Sequence, residues 1–305
     1  MLNRLLRPAA LLASAGAITL LATACGSGSP ATSGNAPAYA ALASSPTCSQ
    51  LRTQNPDLAG KTLTNAINPH TPGYESISVS DPTKYEGFDI DLGEAIGECL
   101  GFKVNYLPVA FDALLPTLQS GQANFIISDI YATKERAASA DFITYSKVND
   151  GVLVAAGNPK KLTGIDDSLC GTTSALNKGF VEVPLVEAQS AKCQAAGKPP
   201  AQTALFDNNA DCVQAILSGR ADAYINDVNT VARFVKDQPD KLARATAVTL
   251  PYSIGIGVPK GQLPIRNAFT AALTEVQKSG LQTQLSQKWS LDESAIEAPS
   301  LVTAS

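Results

Sequence analysis

Strand-like and helix-like segments alternate along most of this 305-residue chain, and this alternation restricts the fold more than any other feature. From about Leu63, the apolar segments LTNAI, FKVNY and ANFIIS are separated by segments with helical spacing of their apolar residues. A second series follows GVLVAAGNP, with strand-like segments at TTSAL, AQTALF and ADAYIN. Alternating strands and helices predict an α/β fold with mainly parallel sheets.

Helix signals support this interpretation at both ends of the alternating region. In DIDLGEAIGECLG the apolar residues recur at helical spacing, Asp89 is positioned as an N-cap, and Gly101 is positioned to end the helix. After a last strand at YSIGIGVPKG, two helices are predicted at Ala268–Ser279 and Leu281–Trp289.

The first 24 residues have the pattern of a targeting segment. Arg4 and Arg7 precede an apolar run that ends in LATAC, and this ending resembles the lipobox of bacterial lipoproteins. We therefore expect a signal peptide at 1–24 and lipidation of Cys25. The alternative is an ordinary secretory signal cleaved near Ala24.

The stretch that follows, residues 25–47, is rich in Gly, Ser, Ala and Pro and contains no charged residue. Such a composition cannot bury a core of its own, so we expect a flexible tether between the lipid anchor and the folded body.

Charge and cysteine usage exclude several classes of protein. The formal net charge is −4, and it becomes −6 without the two arginines of residues 1–24, which argues against a nucleic-acid partner. Five cysteines follow Cys25, and an exported chain is expected to oxidise some of them. None has C-x-x-C spacing and His70 is the single histidine, so no metal site and no cofactor are expected.

Polar side chains follow several predicted strands in both series. Open α/β sheets bind ligands at the carboxyl ends of their strands, so these side chains are candidates for a ligand site. They are Asn68, Ser128, Asp129, Asn177, Asn226 and Asp227, with Arg136 a few residues beyond Asp129.

Four segments in sequence order carry a family resemblance: YEGFDIDLGEAIGECLG, FDALLPTLQSGQANFIISDIYATKER, LSGRADAYINDVN, and IGIGVPKG with the AALTEVQKSG that follows. They are similar to the successive motifs of the family 3 extracellular solute-binding proteins, the polar-amino-acid receptors of ABC importers. The resemblance implies a type II periplasmic-binding-protein fold, with two α/β lobes joined by two crossover strands. Lobe 1 would comprise 48–152 plus 253–305, lobe 2 would comprise 153–252, and the hinge would lie near 151–155 and 250–254.

The resemblance also implies a function. The protein would be an extracytoplasmic receptor, anchored to the cell membrane by its lipid, that closes on an amino acid or similar zwitterion and delivers it to a membrane permease. We expect a monomer. The alternatives are a dehydratase-type enzyme, since a few proteins of this fold act on prephenate-like acids, and a non-transporting sensor lipoprotein. The chain has no Gly-x-Ser-x-Gly motif and no Gly-rich phosphate loop, so we expect no catalytic residues.

The family assigns the ligand's α-carboxylate to the arginine of a T-x-x-R motif, which here is Arg136, and the α-ammonium to the aspartate that here is Asp227. A guanidinium offers a planar fork for a carboxylate, and a carboxylate is a natural partner for an ammonium. The alternative for Arg136 is a structural pair with Glu135 or Asp141.

Other family positions outline the rest of the pocket. Asn68, Tyr74 and Phe111 match ligand-contacting positions, although each aromatic ring could instead be a core residue. Departures from the family pattern add a carboxylate at Asp129 and a phenol at Tyr131, and place Phe180 where a threonine is usual. The remaining members of the expected ligand set are Ser128, Asn177 and Asn226. The acid at Asp129 suggests a cationic or hydroxylated amino acid, but dicarboxylates, glutamine-like ligands and other zwitterions remain open.

Related receptors carry a cysteine pair in the context of Cys170 and Cys193, and we predict a disulfide between these two residues. Cys48–Cys99 is a second predicted pairing, which would leave Cys212 as a buried thiol.

Overall fold

The structure is a computed structural model, and it describes residues 36–304. The predicted signal peptide at 1–24 and the predicted lipidation of Cys25 lie outside these residues. Within the described range, none of the helices combines the length and apolarity that crossing a membrane would require.

A nine-stranded sheet is the centre of the described structure, with a separate three-stranded sheet beside it. In the large sheet the strand order is β5-β1-β6-β11-β7-β10-β8-β9, and β12 pairs with β7. The strands are β1 Thr62–Ile67, β2 His70–Thr71, β3 Glu75–Ile77, β4 Tyr85–Glu86, β5 Lys103–Pro108, β6 Phe125–Ile126, β7 Ala140–Ala155, β8 Thr173–Asn177, β9 Gln202–Phe206, β10 Ala223–Asp227, β11 Leu242–Pro259 and β12 Leu301–Val302.

Two long strands, β7 and β11, join the two ends of this sheet. Parallel strands β5, β1 and β6 lie on the β11 side and form what we call the first half, while β10, β8 and β9 lie on the β7 side and form the second half. β7 and β11 pair antiparallel along most of their length, but their register shifts between Thr249 and Ser253. This irregularity overlaps the predicted hinge segment 250–254.

Helices cover the sheet and bury its apolar side chains. Phe88, Leu92 and Ile96 of one helix pack with Phe269 of another in the first half, and Val213 and Val231 pack with Tyr224 in the second half. The helices are α1 Ala36–Ala43, α2 Pro46–Gln54, α3 Phe88–Leu100, α4 Leu114–Gln119, α5 Glu182–Ala195, α6 Asn209–Leu217, α7 Val228–Asp237, α8 Leu263–Lys278 and α9 Leu281–Trp289.

The C-terminal part of the predicted tether is folded. Residues 36–43 form α1, where Leu42 is only 3% exposed within the first-half core and Tyr39 Oη donates to the carbonyl oxygen of Asp91 at 3.0 Å. The expectation of a flexible tether throughout 25–47 is therefore wrong for this part. The segment lacks a core of its own, as expected, but its few apolar side chains pack on α3.

The start of α3 also differs from the sequence-based expectation. Gly87 is the N-cap, at φ 143°, and a Cβ there would lie 2.0 Å from the carbonyl oxygen of Tyr74. This close backbone approach requires glycine at the position where the helix begins. Asp89, predicted as the N-cap, is instead a buried residue in the first turn, where it accepts hydrogen bonds from other segments.

Both predicted disulfides are present. Cys170 is joined to Cys193, and Cys48 to Cys99, so that α2 is tied to the end of α3. Cys212 is a buried free thiol in α6, as expected.

Candidate functional site

Six buried carboxyl groups lie where the two halves of the sheet meet. They come from separate elements, yet each influences the ionisation of at least one other member. We call them the acid cluster: Glu75, Asp89, Asp129, Asp150, Glu182 and Asp227, all at most 4% exposed.

Asp150 and Asp227 form the centre of this cluster. They are register partners on the antiparallel strands β7 and β10, so their side chains project to the same face of the sheet. Tyr131 Oη donates to Asp150 Oδ1 at 3.0 Å. Glu182, the first residue of α5, lies beside Asp150.

Asp129 extends the cluster from the first half. It follows β6 at φ 42°, and its backbone N–H donates to Asp89 Oδ2 at 2.5 Å. Asp129 Oδ1 is buried and has no hydrogen-bond partner. Burial, and then the charge of Asp227, raise the pKa of Asp129 well above its usual range.

Burial raises the pKa of the other acids too. It raises the pKa of Asp227 to about 7 and that of Asp89 to about 6, although hydrogen bonds to both carboxylates oppose the effect. The pKa of Asp150 is raised well above its usual range by burial and by Glu182. Buried oxygens that accept from no donor are costly. The cluster contains several, namely Glu75 Oε2, Asp129 Oδ1, Asp150 Oδ2 and both carboxyl oxygens of Glu182.

Arg136 lies next to the acid cluster but does not form an ion pair with any described carboxylate. Its Nη1 donates to the carbonyl oxygen of Tyr131 and its Nη2 to that of Gly179, both at 2.9 Å. The guanidinium carbon lies 5.2 Å from the ring centroid of Phe111. The alternative pairing with Asp141 is absent, because Asp141 pairs with Arg266 at 3.1 Å.

Contacts across the two halves surround Arg136. The rings of Phe111 and Phe180 are 4.3 Å apart between centroids, and Asn229 Nδ2 donates to Tyr74 Oη at 3.1 Å. Gly179 has φ 78°, and a Cβ there would lie only 3.0 Å from the Cβ of Asp112. Phe111, Arg136 and Phe180 also line a cavity of about 940 Å³.

The other predicted polar residues are engaged in internal networks. Asn68 donates from its backbone to Ser128 Oγ at 2.8 Å and from its amide to Val109, and Ser128 Oγ donates to Glu75 Oε1 at 3.0 Å. In the second half, Tyr224 Oη donates to Asn177 Oδ1 at 3.0 Å and accepts from the amide of Asn226, whose Oδ1 accepts from the backbone N–H of Asp227. These four polar residues position the strand ends around the acid cluster. His70, the single histidine, was not among the expected ligand contacts; it lies on β2 and is exposed.

Glu75, Asp150 and Glu182 were not among the sequence-based candidates. The signal for Asp150 was available in principle, since it directly precedes the apolar segment GVLV. Its pairing with Asp227 becomes visible only through the register of β7 and β10. Within the described residues, no group of three or more His, Cys, Asp or Glu side chains is arranged to hold a metal ion.

Comparisons with known proteins agree with this architecture. The sequence profile of the bacterial extracellular solute-binding proteins, family 3, matches residues 63–292. A probable histidine-binding protein of Neisseria gonorrhoeae is 29% identical over 236 residues, which are 75% of this chain and 83% of that protein. The putative ABC transporter arginine-binding protein 2 of Escherichia coli (strain K12) is 25% identical over 235 residues, 76% of this chain and 91% of that protein.

Solved structures give the same result for the fold. An ancestral arginine-binding protein bound to arginine superposes with a TM-score of 0.68 at 27% identity, covering 75% of this chain and 97% of that one. The sheet crossed by β7 and β11 is accordingly that of a type II periplasmic-binding protein, as the resemblance predicted. With a family match across three quarters of its length, the chain belongs to the bacterial extracellular solute-binding proteins, family 3.

Proposed function

We propose that this protein is the extracytoplasmic receptor of an ABC importer and binds an amino acid or similar zwitterion between its two halves. The family match over residues 63–292 carries this proposal, since relatives with this match are named as amino-acid-binding proteins. The buried acids and the adjacent guanidinium supply opposite charges for such a ligand.

Arg136 and Asp227 are proposed to hold opposite ends of the ligand. A guanidinium has five N–H donors and Arg136 uses two of them on carbonyl oxygens, so donors remain for a carboxylate. Asp227 is buried in the second half, where a ligand ammonium would supply the missing counter-charge. Phe111, Tyr74 and Phe180 surround this region as apolar walls.

The proposed partner is a membrane permease, to which the receptor delivers its ligand. The receptor itself is proposed to be a monomer that a lipid on Cys25 holds at the cell membrane. Delivery requires the ligand to leave unchanged, so the protein is proposed to have no catalytic activity. Mass spectrometry of a ligand recovered after long incubation tests this point, and a dehydrated product would instead support the dehydratase alternative.

A thermal-shift screen tests the proposed function. The mature protein is heated with each of the common amino acids and with ornithine, citrulline and agmatine. A ligand at 100 times its Kd adds about 2.7 kcal/mol of stability, which corresponds to a rise of roughly 5–10 °C in Tm for a domain of this size. The absence of any shift at millimolar concentrations would contradict the amino-acid assignment.

A further inference from the structure

Asp150 and Asp227 face each other across two antiparallel strands without a protein cation between them. They are register partners, and like charges at directly opposed positions destabilise a sheet. Asp227 Oδ1 accepts from the backbone N–H groups of Asn229 and Thr230, and Asp150 Oδ1 accepts from Tyr131. Asp150 Oδ2 is buried and accepts from no N–H or hydroxyl donor.

Glu182 increases the excess of negative charge at this point. It is fully buried at the start of α5, its carboxyl group lies within hydrogen-bonding reach of the Asp150 carboxyl group, and neither of its oxygens accepts from an N–H or hydroxyl donor. Arg136 is the positive charge that acts on Glu182, but its guanidinium is bonded to two carbonyl oxygens and not to the carboxylate. One guanidinium therefore lies near several acids, which come from β7, β10 and α5.

Tyr131 forms hydrogen bonds with both Arg136, the proposed anchor of the ligand carboxylate, and one of these acids. Its backbone carbonyl oxygen accepts from Arg136, while its phenol donates to Asp150. One tyrosine therefore bonds both the Arg136 guanidinium and the Asp150 carboxylate.

A metal ion does not match this arrangement. No group of three or more potential ligand residues in residues 36–304 is arranged to hold one. An organic cation distributes its charge over a larger group and can contact carboxylates that do not converge on one point.

We propose that Asp150 and Glu182 bind a second cationic group of the ligand, while Asp227 binds its α-ammonium, so that the ligand is a diamino or guanidino acid of net positive charge. This assignment rests on the proposed function and deepens it. Asp150 and Glu182 then determine specificity, because a neutral side chain would leave both buried carboxyl groups without a counter-charge.

Isothermal titration calorimetry with arginine and citrulline tests the proposal, since citrulline is a neutral near-isostere of arginine. Lysine and glutamine provide a second comparison. Wild-type protein is expected to bind the better of the two cationic compounds at least ~10-fold more tightly than its neutral counterpart. Asp150→Asn and Glu182→Gln are each expected to reduce this preference at least ~10-fold. Glu187→Gln is the matched control, because Glu187 lies exposed on the same helix.

Thermal denaturation without ligand separates a binding role from a structural one. Removal of one buried acid from a like-charged group relieves repulsion, so Asp150→Asn and Glu182→Gln are expected to keep or raise the Tm while the affinity for the cationic ligand falls. A lower Tm in both variants would assign the acids a structural role and overturn the proposal.

Two outcomes distinguish this inference from the function on which it rests. If citrulline and glutamine bind as tightly as arginine and lysine, or more tightly, the second cation site is overturned but the amino-acid receptor remains. No binding of any of the four compounds, together with no shift in the wider screen, overturns both. Agmatine, which lacks the carboxylate of arginine, is expected to bind more weakly than arginine if Arg136 anchors that group.

Discussion

Asp227 has two roles at the start of α7, and they respond differently to substitution. Its Oδ1 accepts from the backbone N–H groups of Asn229 and Thr230, as an N-cap does, and its charge belongs to the acid cluster. Asp227→Ala removes both roles, whereas Asp227→Asn keeps a capping oxygen and removes the charge.

We expect Asp227→Asn to weaken ligand binding at least ~30-fold, since the loss of one partner of a buried charge pair costs about 2–5 kcal/mol. Stability without ligand should be unchanged or higher. Asp227→Ala should lose affinity similarly and also lose about 1 kcal/mol of stability through the missing cap. Calorimetry and urea denaturation of the two variants measure these effects, and near-wild-type affinity in both would refute the role of Asp227.

Ligand affinity should be equally sensitive to substitution of Arg136, and lysine should not replace this arginine. Lysine lacks the planar fork that can bond Tyr131, Gly179 and a ligand carboxylate at once. Arg136→Ala should lower affinity at least ~30-fold, and Arg136→Lys should recover only part of the loss. Calorimetry with the best ligand from the screen provides the values. Full recovery in the lysine variant would mean that only the charge matters.

The residue types of the site were predictable to different degrees. Family motifs indicated Arg136 and Asp227 as ligand anchors, because each occupies a fixed position in a short pattern, and these roles stay predictions. Asp150 and Glu182 were missed because their significance depends on strand register and on the packing of α5, which no local motif encodes. Asn68 and Asn177 were expected as ligand contacts, and their amide groups also hold neighbouring segments in place.

At the scale of elements, local signals predicted helices and parallel strands better than long antiparallel ones. The apolar segments of β1, β8 and β10 were found within a residue or two. The full extent of β7 and β11 was missed, because their central parts include polar residues such as Lys147, Asn149 and Thr246. These parts form strands through mutual pairing between the two halves, which is a tertiary effect.

Helix α1 provides a test of where the folded body begins. Leu42 is almost fully buried in the first-half core, and the loss of a large buried aliphatic side chain costs about 2–5 kcal/mol. We expect Leu42→Ala to destabilise the protein by about 2 kcal/mol, at the lower end because the site is near a terminus. Ala41→Ser, at the exposed neighbouring residue, is the control. If urea denaturation shows no difference in stability between Leu42→Ala and the wild-type protein, residues 36–43 would belong to the tether and not to the folded body.

At the scale of the whole molecule, the acid cluster determines how stability depends on pH. The pKa values of Asp227, about 7, and Asp89, about 6, lie above the ordinary value near 3.8. Between about pH 4 and pH 7 the folded protein therefore binds protons that the unfolded chain has released, so stability falls as pH rises through this window.

We accordingly expect the Tm without ligand to be higher at pH 5 than at pH 8, since the acids are largely protonated at the lower pH. Asp227→Asn should reduce this difference because it removes one of the titrating groups. Differential scanning calorimetry at both pH values, in buffers of equal ionic strength, is the measurement. A protein that is more stable at pH 8 would contradict the raised pKa values.

Ligand binding is expected to be coupled to movement of the two halves about the irregular segment of β7 and β11. The register shift between Thr249 and Ser253 leaves residues 250–252 of β11 without register partners on β7. Small-angle scattering should give a smaller radius of gyration at saturating ligand than without it. An unchanged radius at saturation would argue for a rigid site.

Gly179 brings the two halves together at a point where there is no room for a side chain. Its carbonyl oxygen bonds Arg136 while its α-carbon packs against Asp112. A larger residue would clash with Asp112 and reduce the fraction of molecules in which the two halves are in contact. Apparent affinity falls in proportion to the fraction of molecules that are competent to bind the ligand. Substitution of Gly179 can therefore change the affinity of this receptor without altering the charged side chains that determine which ligand it binds.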